Sequence, residues 1–166
     1  MEEELIYEEP KWKKRITLIF GIIILLILLI YFLFGNIFGI VEGLLESSDI
    51  KNNEVIVDGN IKLVFVNDSY NKLLDLYWNN LGKEFKACLM GKDYVIDEIF
   101  LPKMFSQKSN QVISEVCPKG TLVDLHSHPD NHCLFSEEDI NSFAKTKENF
   151  TIMAVLCEED KFNFYY

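Results

Sequence analysis

His126, Ser127, His128 and Pro129 form the stretch of this sequence most able to do chemistry, with Ser136 and Asp139 a short way beyond. The residues before them, Thr121-Leu122-Val123-Asp124-Leu125, read as a short, largely buried strand. If the strand runs on through the histidines, its period of two puts both imidazoles on one face and Ser127 on the other. Pro129 lacks a backbone donor and suits a strand end, after which Asp130 and Asn131 turn the chain. Ser136 then opens a helical pattern through Ile140, Phe143 and Ala144, with Asp139 in its first turn. Two nitrogens from a strand and one oxygen from a helix start make a three-ligand set with one position open. That is the arrangement of catalytic zinc, whereas structural zinc is closed by four protein ligands.

The spacing from His126 to Asp139 resembles the JAMM (MPN+) metalloprotease signature. A second segment resembles the upstream part of that signature, Glu84-Phe85-Lys86-Ala87-Cys88-Leu89-Met90-Gly91. The resemblance spans roughly residues 54–166. It implies that His126, His128 and Asp139 bind one Zn2+ per chain, that Glu84 is the catalytic acid/base, and that Ser136 steadies the tetrahedral intermediate. It also implies an α/β fold of the MPN/JAMM, cytidine-deaminase-like kind, a mixed sheet flanked by helices. The activity implied is hydrolysis of an amide or isopeptide bond, with removal of a ubiquitin-like modifier as the expected reaction. Val123 stands where many members of the family have glycine.

Elements that must position these residues follow from local patterns. Glu54 to Val57 and Ile61 to Val66 read as a hairpin about Asp58-Gly59-Asn60. Tyr70, Leu73, Leu74, Tyr77 and Leu81 have helical spacing, with Gly82 just past the end. Glu84 to Met90 and Tyr94 to Leu101 read as strands joined by Gly91-Lys92-Asp93, 103–110 as a polar loop, and Gln111 to Val116 as a strand. After the Ser136 helix, Phe150 to Cys157 and Phe162 to Tyr166 form a last hairpin. Many strands and two helices predict an α/β layered domain with a mixed sheet.

The chain has 166 residues, room for one domain with an appendage. The appendage is at the N-terminus. Residues 1–15 are a polar tail, with Glu2, Glu3, Glu4, Glu8 and Glu9 ahead of Lys11, Lys13, Lys14 and Arg15. From Ile16 to Val41 no residue is charged. A bilayer core needs about 20 apolar residues, and a signal-peptide core only about 7 to 15, so 16–41 is expected to be a retained transmembrane helix contacting the lipid bilayer. Trp12, Tyr31, Phe32 and Phe34 suit interfacial belts. Residues 42–53 read as a linker, and 54–166 as the metalloprotease domain. Basic residues cluster before the span and none follows until Lys51, which favours the C-terminal domain outside.

Composition excludes several classes. A net charge of -10 leaves no basic face for phosphates, so nucleic acid is not an expected partner. Histidine pairs of this type also occur in (β/α)8 barrels, but those need about 250 residues. Cys88, Cys117, Cys133 and Cys157 include no C-x-x-C pair, so thiolate zinc is not expected. They read as small buried hydrophobes, or as disulfides if the domain faces an oxidising compartment. Asp124 and Asp130 are candidates to orient the histidines, His132 reads as a rim residue, and Cys133 has no assigned role. Two alternatives accompany the isopeptidase reading: a membrane-tethered peptidase acting on an ordinary peptide or envelope substrate, and a non-catalytic MPN scaffold. Substrate identity and oligomeric state leave no sequence signal.

Overall fold

The computed structural model describes residues 11–129, 131–147 and 151–166. The acidic tail at 1–10, Asp130, Phe150 and the side chain of Phe34 lie outside the described residues. The chain divides into two units, Met1–Phe38 and Gly39–Tyr166. In the first, helix α1 (Lys11–Glu46) begins; its stretch Trp12–Phe32 has a mean hydropathy of 2.7 and is long and apolar enough to cross a bilayer. The side chains of Trp12–Phe32 are exposed all round, unlike those of a core helix.

The second unit runs from the last turns of α1 through β1 (Ser48–Asp49), β2 (Glu54–Asp58), β3 (Ile61–Phe65), α2 (Ser69–Asn79), β4 (Lys86–Lys92) and β5 (Val95–Phe100). It continues through β6 (Met104–Lys108), β7 (Gln111–Ser114), β8 (Thr121–Ser127), α3 (Glu137–Thr146), β9 (Ile152–Glu158) and β10 (Lys161–Tyr165). Eight strands form one mixed sheet in the order β1-β10-β9-β8-β4-β5-β3-β2, with β8·β9 and β3·β5 parallel and the other pairs antiparallel. The expected α/β domain with a mixed sheet and helices is therefore the observed architecture. Strand β8 lies in the middle of the sheet, between β9 and β4.

The core follows from strand alternation. Val123 and Leu125 on β8 sit opposite Leu89 and Ala87 on β4, and all four are sealed from solvent with Phe85, Leu63, Ile96, Leu156 and Phe162. The other face of the same two strands carries Asp124 and His126 opposite Cys88 and Lys86. One face of the β8–β4 pair is thus apolar, and the other is polar but still buried.

Several boundaries differ from the sequence reading. The linker expected at 42–53 is ordered: helix α1 continues to Glu46, and Ser48–Asp49 pairs with β10. The polar loop expected at 103–110 is instead strand β6 and a tight turn, paired with β7 as a separate two-stranded ribbon. Strand β4 runs on through Lys92, so the turn falls at Asp93 and Tyr94, both at positive φ. The reading of the cysteines as unpaired hydrophobes is overturned. Cys88 bonds to Cys117 and Cys133 to Cys157, with Cα–Cα separations of 5.7 and 5.1 Å. Each closes a loop of moderate length, a constraint worth about 3–4 kcal/mol in the chain-entropy account.

Candidate metal centre

His126 is the penultimate residue of β8 and His128 follows just beyond its end. The alternation holds across that end. Ser127 points to the opposite side, where its Oγ accepts the Phe85 N–H at 2.9 Å, while the two imidazoles share a face with ring centroids 4.9 Å apart. Both histidines are buried. Their Nε2 atoms lie 3.2 Å from each other.

The third donor comes from α3. Ser136 is its N-cap, and the helix opens with a complete capping box. The Ser136 N–H and Oγ–H both donate to Asp139 Oδ2, at 2.8 and 2.6 Å, and Ser136 Oγ accepts the Asp139 N–H at 3.1 Å. With Oδ2 held by the cap, Oδ1 is 3.4 Å from His126 Nε2; Oδ2 is 3.8 Å from His128 Nε2. Burial alone would raise the Asp139 carboxyl, but the hydrogen bond and charge from His126, with the two bonds from Ser136, outweigh it and hold Asp139 well below the usual carboxylate range. It is an anion at any working pH.

Glu84 is brought in by the register of β4 against β8. Lys86 pairs with His126, so Glu84, two residues earlier, comes opposite His128 on the same face. The Ser127 N–H donates to Phe85 O at 2.9 Å and fixes that alignment past the end of the ladder. Glu84 Oε1 lies 3.8 Å from His128 Nε2. The β6–β7 ribbon holds Glu84 from the other side. The Glu84 N–H donates to Lys108 O at 2.8 Å, Gln107 Nε2 donates to Glu84 O at 3.1 Å, and the Val112 N–H reaches the carboxylate. Burial pushes the Glu84 carboxyl up to about 7; the Asp139 charge adds to this, while His126 and the Val112 N–H oppose it.

His128 has a defined tautomer. Its Nδ1 lies 2.7 Å from the His132 carbonyl oxygen, which can only accept, so Nδ1 carries the hydrogen and Nε2 keeps its lone pair. Burial, reinforced by the charge of His126, lowers the His128 pKa to about 4, so the ring is neutral at pH 7. A neutral imidazole with a free Nε2 is a metal ligand.

His126, His128 and Asp139 form the group of side chains among the described residues able to converge on one ion. Tetrahedral zinc with bonds of about 2.0–2.1 Å sets its ligand atoms about 3.3 Å apart. The two Nε2 atoms are 3.2 Å apart and His126 Nε2 is 3.4 Å from Asp139 Oδ1, close to that spacing. One donor atom from each of the three residues lies within 4.8 Å of the others, so side-chain adjustment is needed to bring the Asp139 oxygen equally near His128. Two nitrogens, one oxygen and a free corner also fit zinc chemically.

Other residues singled out from sequence fall elsewhere. Asp124 is not placed to orient the histidines: its carboxylate is paired with Lys86 Nζ at 3.0 Å. The His132 ring is exposed, and its contribution is its backbone carbonyl. Cys133 sits in the loop between the two halves of the site, bonded to Cys157. Sequence reasoning missed Gln107, the Val112 N–H and the His132 carbonyl. The last two are backbone groups that no side-chain pattern reports.

No family model and no curated protein matches the chain. Among solved structures, one similar in fold is a JAB1/MPN domain protein from Archaeoglobus fulgidus, at 24% identity and a TM-score of 0.41, covering 58% of this chain and 82% of that one. Another, described as JAMM, a metalloprotease-like zinc site in the proteasome and signalosome, is 23% identical at a TM-score of 0.41, covering 62% of this chain and 85% of that one.

Proposed function

We propose that this chain is a zinc-dependent hydrolase of amide or isopeptide bonds, anchored in a membrane by α1. The observation that carries the proposal is the convergence of His126 Nε2, His128 Nε2 and an Asp139 oxygen beside the carboxylate of Glu84. Zinc bound there supplies Lewis-acid chemistry, acidifying water and polarising a carbonyl. Glu84, ionised, accepts the proton of the attacking water at Oε1 and returns it to the leaving amine nitrogen. The Ser136 hydroxyl now donates to Asp139; turned toward substrate, it donates to the developing oxyanion, a bond worth about 3 kcal/mol in comparable sites. When the hydroxyl turns, the Ser136 N–H keeps its bond to Asp139 Oδ2 and holds that carboxylate in place. A non-catalytic scaffold has no use for a buried carboxylate held beside three metal donors, so Glu84 favours the enzyme.

Two features support an outward orientation. Lys11, Lys13, Lys14 and Arg15 precede the span, and Glu42, Glu46 and Asp49 follow it before the first basic residue, Lys51. Basic residues near a span stay on the cytoplasmic side, which puts the catalytic unit outside. Two disulfides in a domain of this size also suit an oxidising compartment.

The resemblance to JAMM enzymes implies a ubiquitin-like conjugate as substrate. A second reading, a tethered peptidase acting on a peptide or envelope protein, is favoured by the disulfides, because ubiquitin-like conjugates are usually cytosolic. Purified full-length protein should contain close to one zinc per chain; absence of metal after zinc reconstitution would overturn the proposal. A lysine-branched conjugate assayed beside a linear peptide separates the two substrates, and protease protection of the C-terminal unit in sealed vesicles separates the two orientations.

A further inference from the structure

We propose that the Cys133–Cys157 disulfide is a positioning element of the metal centre. By fixing the His132 carbonyl, it holds His128 in the tautomer and ring orientation that present Nε2 to the ion. This rests on the metal-centre reading above. His128 lies past the end of β8, so the ladder no longer constrains its ring. Two bonds hold the residue: its N–H donates to Leu156 O at 3.0 Å, and its Nδ1–H donates to His132 O at 2.7 Å. The first fixes the backbone and the second fixes the imidazole. A shift of the His132 carbonyl by about 1 Å ends the second bond, and Nδ1 and Nε2 then compete for the proton.

The disulfide prevents that shift. Cys133 adjoins His132, is fully buried, and is bonded to Cys157 on β9, the strand that pairs with β8. The Cys133 carbonyl accepts Asn163 Nδ2 at 2.8 Å from β10. Val155, Leu44 and Phe135 pack around the sulfur pair. At Gly43 an added Cβ would stand 3.1 Å from both Cys133 Cβ and Leu134 N, so the loop is clasped closely there too. The tether is short: one peptide unit separates the anchored Cα of Cys133 from the carbonyl that orients the ligand. The other disulfide has no such connection. Cys88 lies opposite Asp124 on β4, on the same face but one pair further along from Lys86 and His126, and Cys117 lies in the loop before β8, so neither adjoins the peptide carbonyl that orients His128. It closes a loop of similar length, 29 residues against 24, and so serves as an internal control for general destabilisation.

The test compares zinc affinity and the visible spectrum of the cobalt-substituted centre in the full-length chain in detergent. The proteins are wild type, Cys133→Ser/Cys157→Ser, Cys88→Ser/Cys117→Ser and Asn163→Leu. Loss of a group that orients a metal ligand typically weakens binding 10–100-fold. The Cys133/Cys157 pair should fall in that range with an altered cobalt spectrum, the Cys88/Cys117 pair should stay within about threefold of wild type, and Asn163→Leu should lose several-fold. Affinity within about threefold in the Cys133/Cys157 variant, or equal losses from both disulfides, would overturn the role. If that variant does not fold, Cys133→Ala/Cys157→Val, which replaces the sulfur pair by apolar groups in the same buried space, decides: affinity within about threefold of wild type would overturn the role. Wild-type protein that binds neither zinc nor cobalt would overturn the metal centre itself, and this role with it.

Discussion

Glu84→Gln removes one charge and changes almost nothing else. Glutamine keeps the oxygen that accepts the Val112 N–H, the backbone bonds to Lys108 and Gln107 are untouched, and none of the three metal donors is altered. Zinc content should therefore stay at the wild-type level. Turnover should not, because an amide cannot take the proton from water; a positioned acid/base contributes about 10²–10⁴-fold, or about 3–5 kcal/mol of barrier. The same substitution has a thermodynamic signature. Burial raises the Glu84 pKa from its ordinary 4.5 to about 7, so the folded state binds this proton more tightly than the unfolded chain does. In the metal-free protein, stability then falls as pH rises from 4.5 through 7 and stays low above it. At 1.36 kcal/mol per unit the full cost of ionised Glu84 is about 3 kcal/mol. Metal-free Glu84→Gln should thus be the more stable protein at pH 8 by up to that amount, and equal to wild type near pH 4. Chelator-stripped denaturation at both pH values, zinc analysis and kcat/KM on one peptide substrate make the assay. A zinc-loaded variant with kcat/KM within threefold of wild type would refute the role of Glu84 outright.

Ser136→Ala should cost about 1 kcal/mol in denaturant unfolding through loss of the cap, and should lower kcat about 10²-fold with little change in KM; a loss confined to KM would count against the oxyanion role. The acid limb of kcat/KM should fall at or below about pH 7, since Glu84 must be ionised to act and a bound dication pulls its pKa down from about 7. That limb should vanish from the residual activity of Glu84→Gln, and a pH-rate profile of both proteins checks it. Gln107→Ala frees the β6–β7 ribbon from the Glu84 carbonyl and from Asn80; kcat should drop about tenfold with zinc content unchanged, and simultaneous loss of zinc would show that the ribbon supports the metal donors instead.

The strand period around His126 and the cap signal of Ser136 were legible because each is a local rule, obeyed within a few residues. The hairpin about Asp58-Gly59 and the helix from Tyr70 were legible for the same reason. What stayed hidden depends on which distant segments become neighbours. Cys133 has no reason to choose Cys157 until β9 lies beside β8. Lys86 sits among hydrophobes in the sequence, and its pairing with Asp124 follows only from the β4–β8 register. Strand β6 escaped for a different reason, although its partner β7 was read as a strand: its residues are partly exposed on both faces, so no apolar alternation marks Met104–Lys108. Helix α1 overran its expected end because Glu42 and Glu46 end the uncharged run without breaking a helix.

Strand β8 is flanked on both sides, parallel to β9 and antiparallel to β4, with Leu125 and Val123 beneath the histidines fully sealed. Fraying at the sheet's margins, in β1 or β2, leaves that ladder untouched. Amides of β8 should exchange with deuterated solvent only when the whole unit opens, making them the slowest in the second unit. Of the three candidate donors only His126 is held for that global lifetime; His128, past the strand end, and Asp139, on α3, depend on the loop between them, so opening of that loop should set how fast an ion leaves.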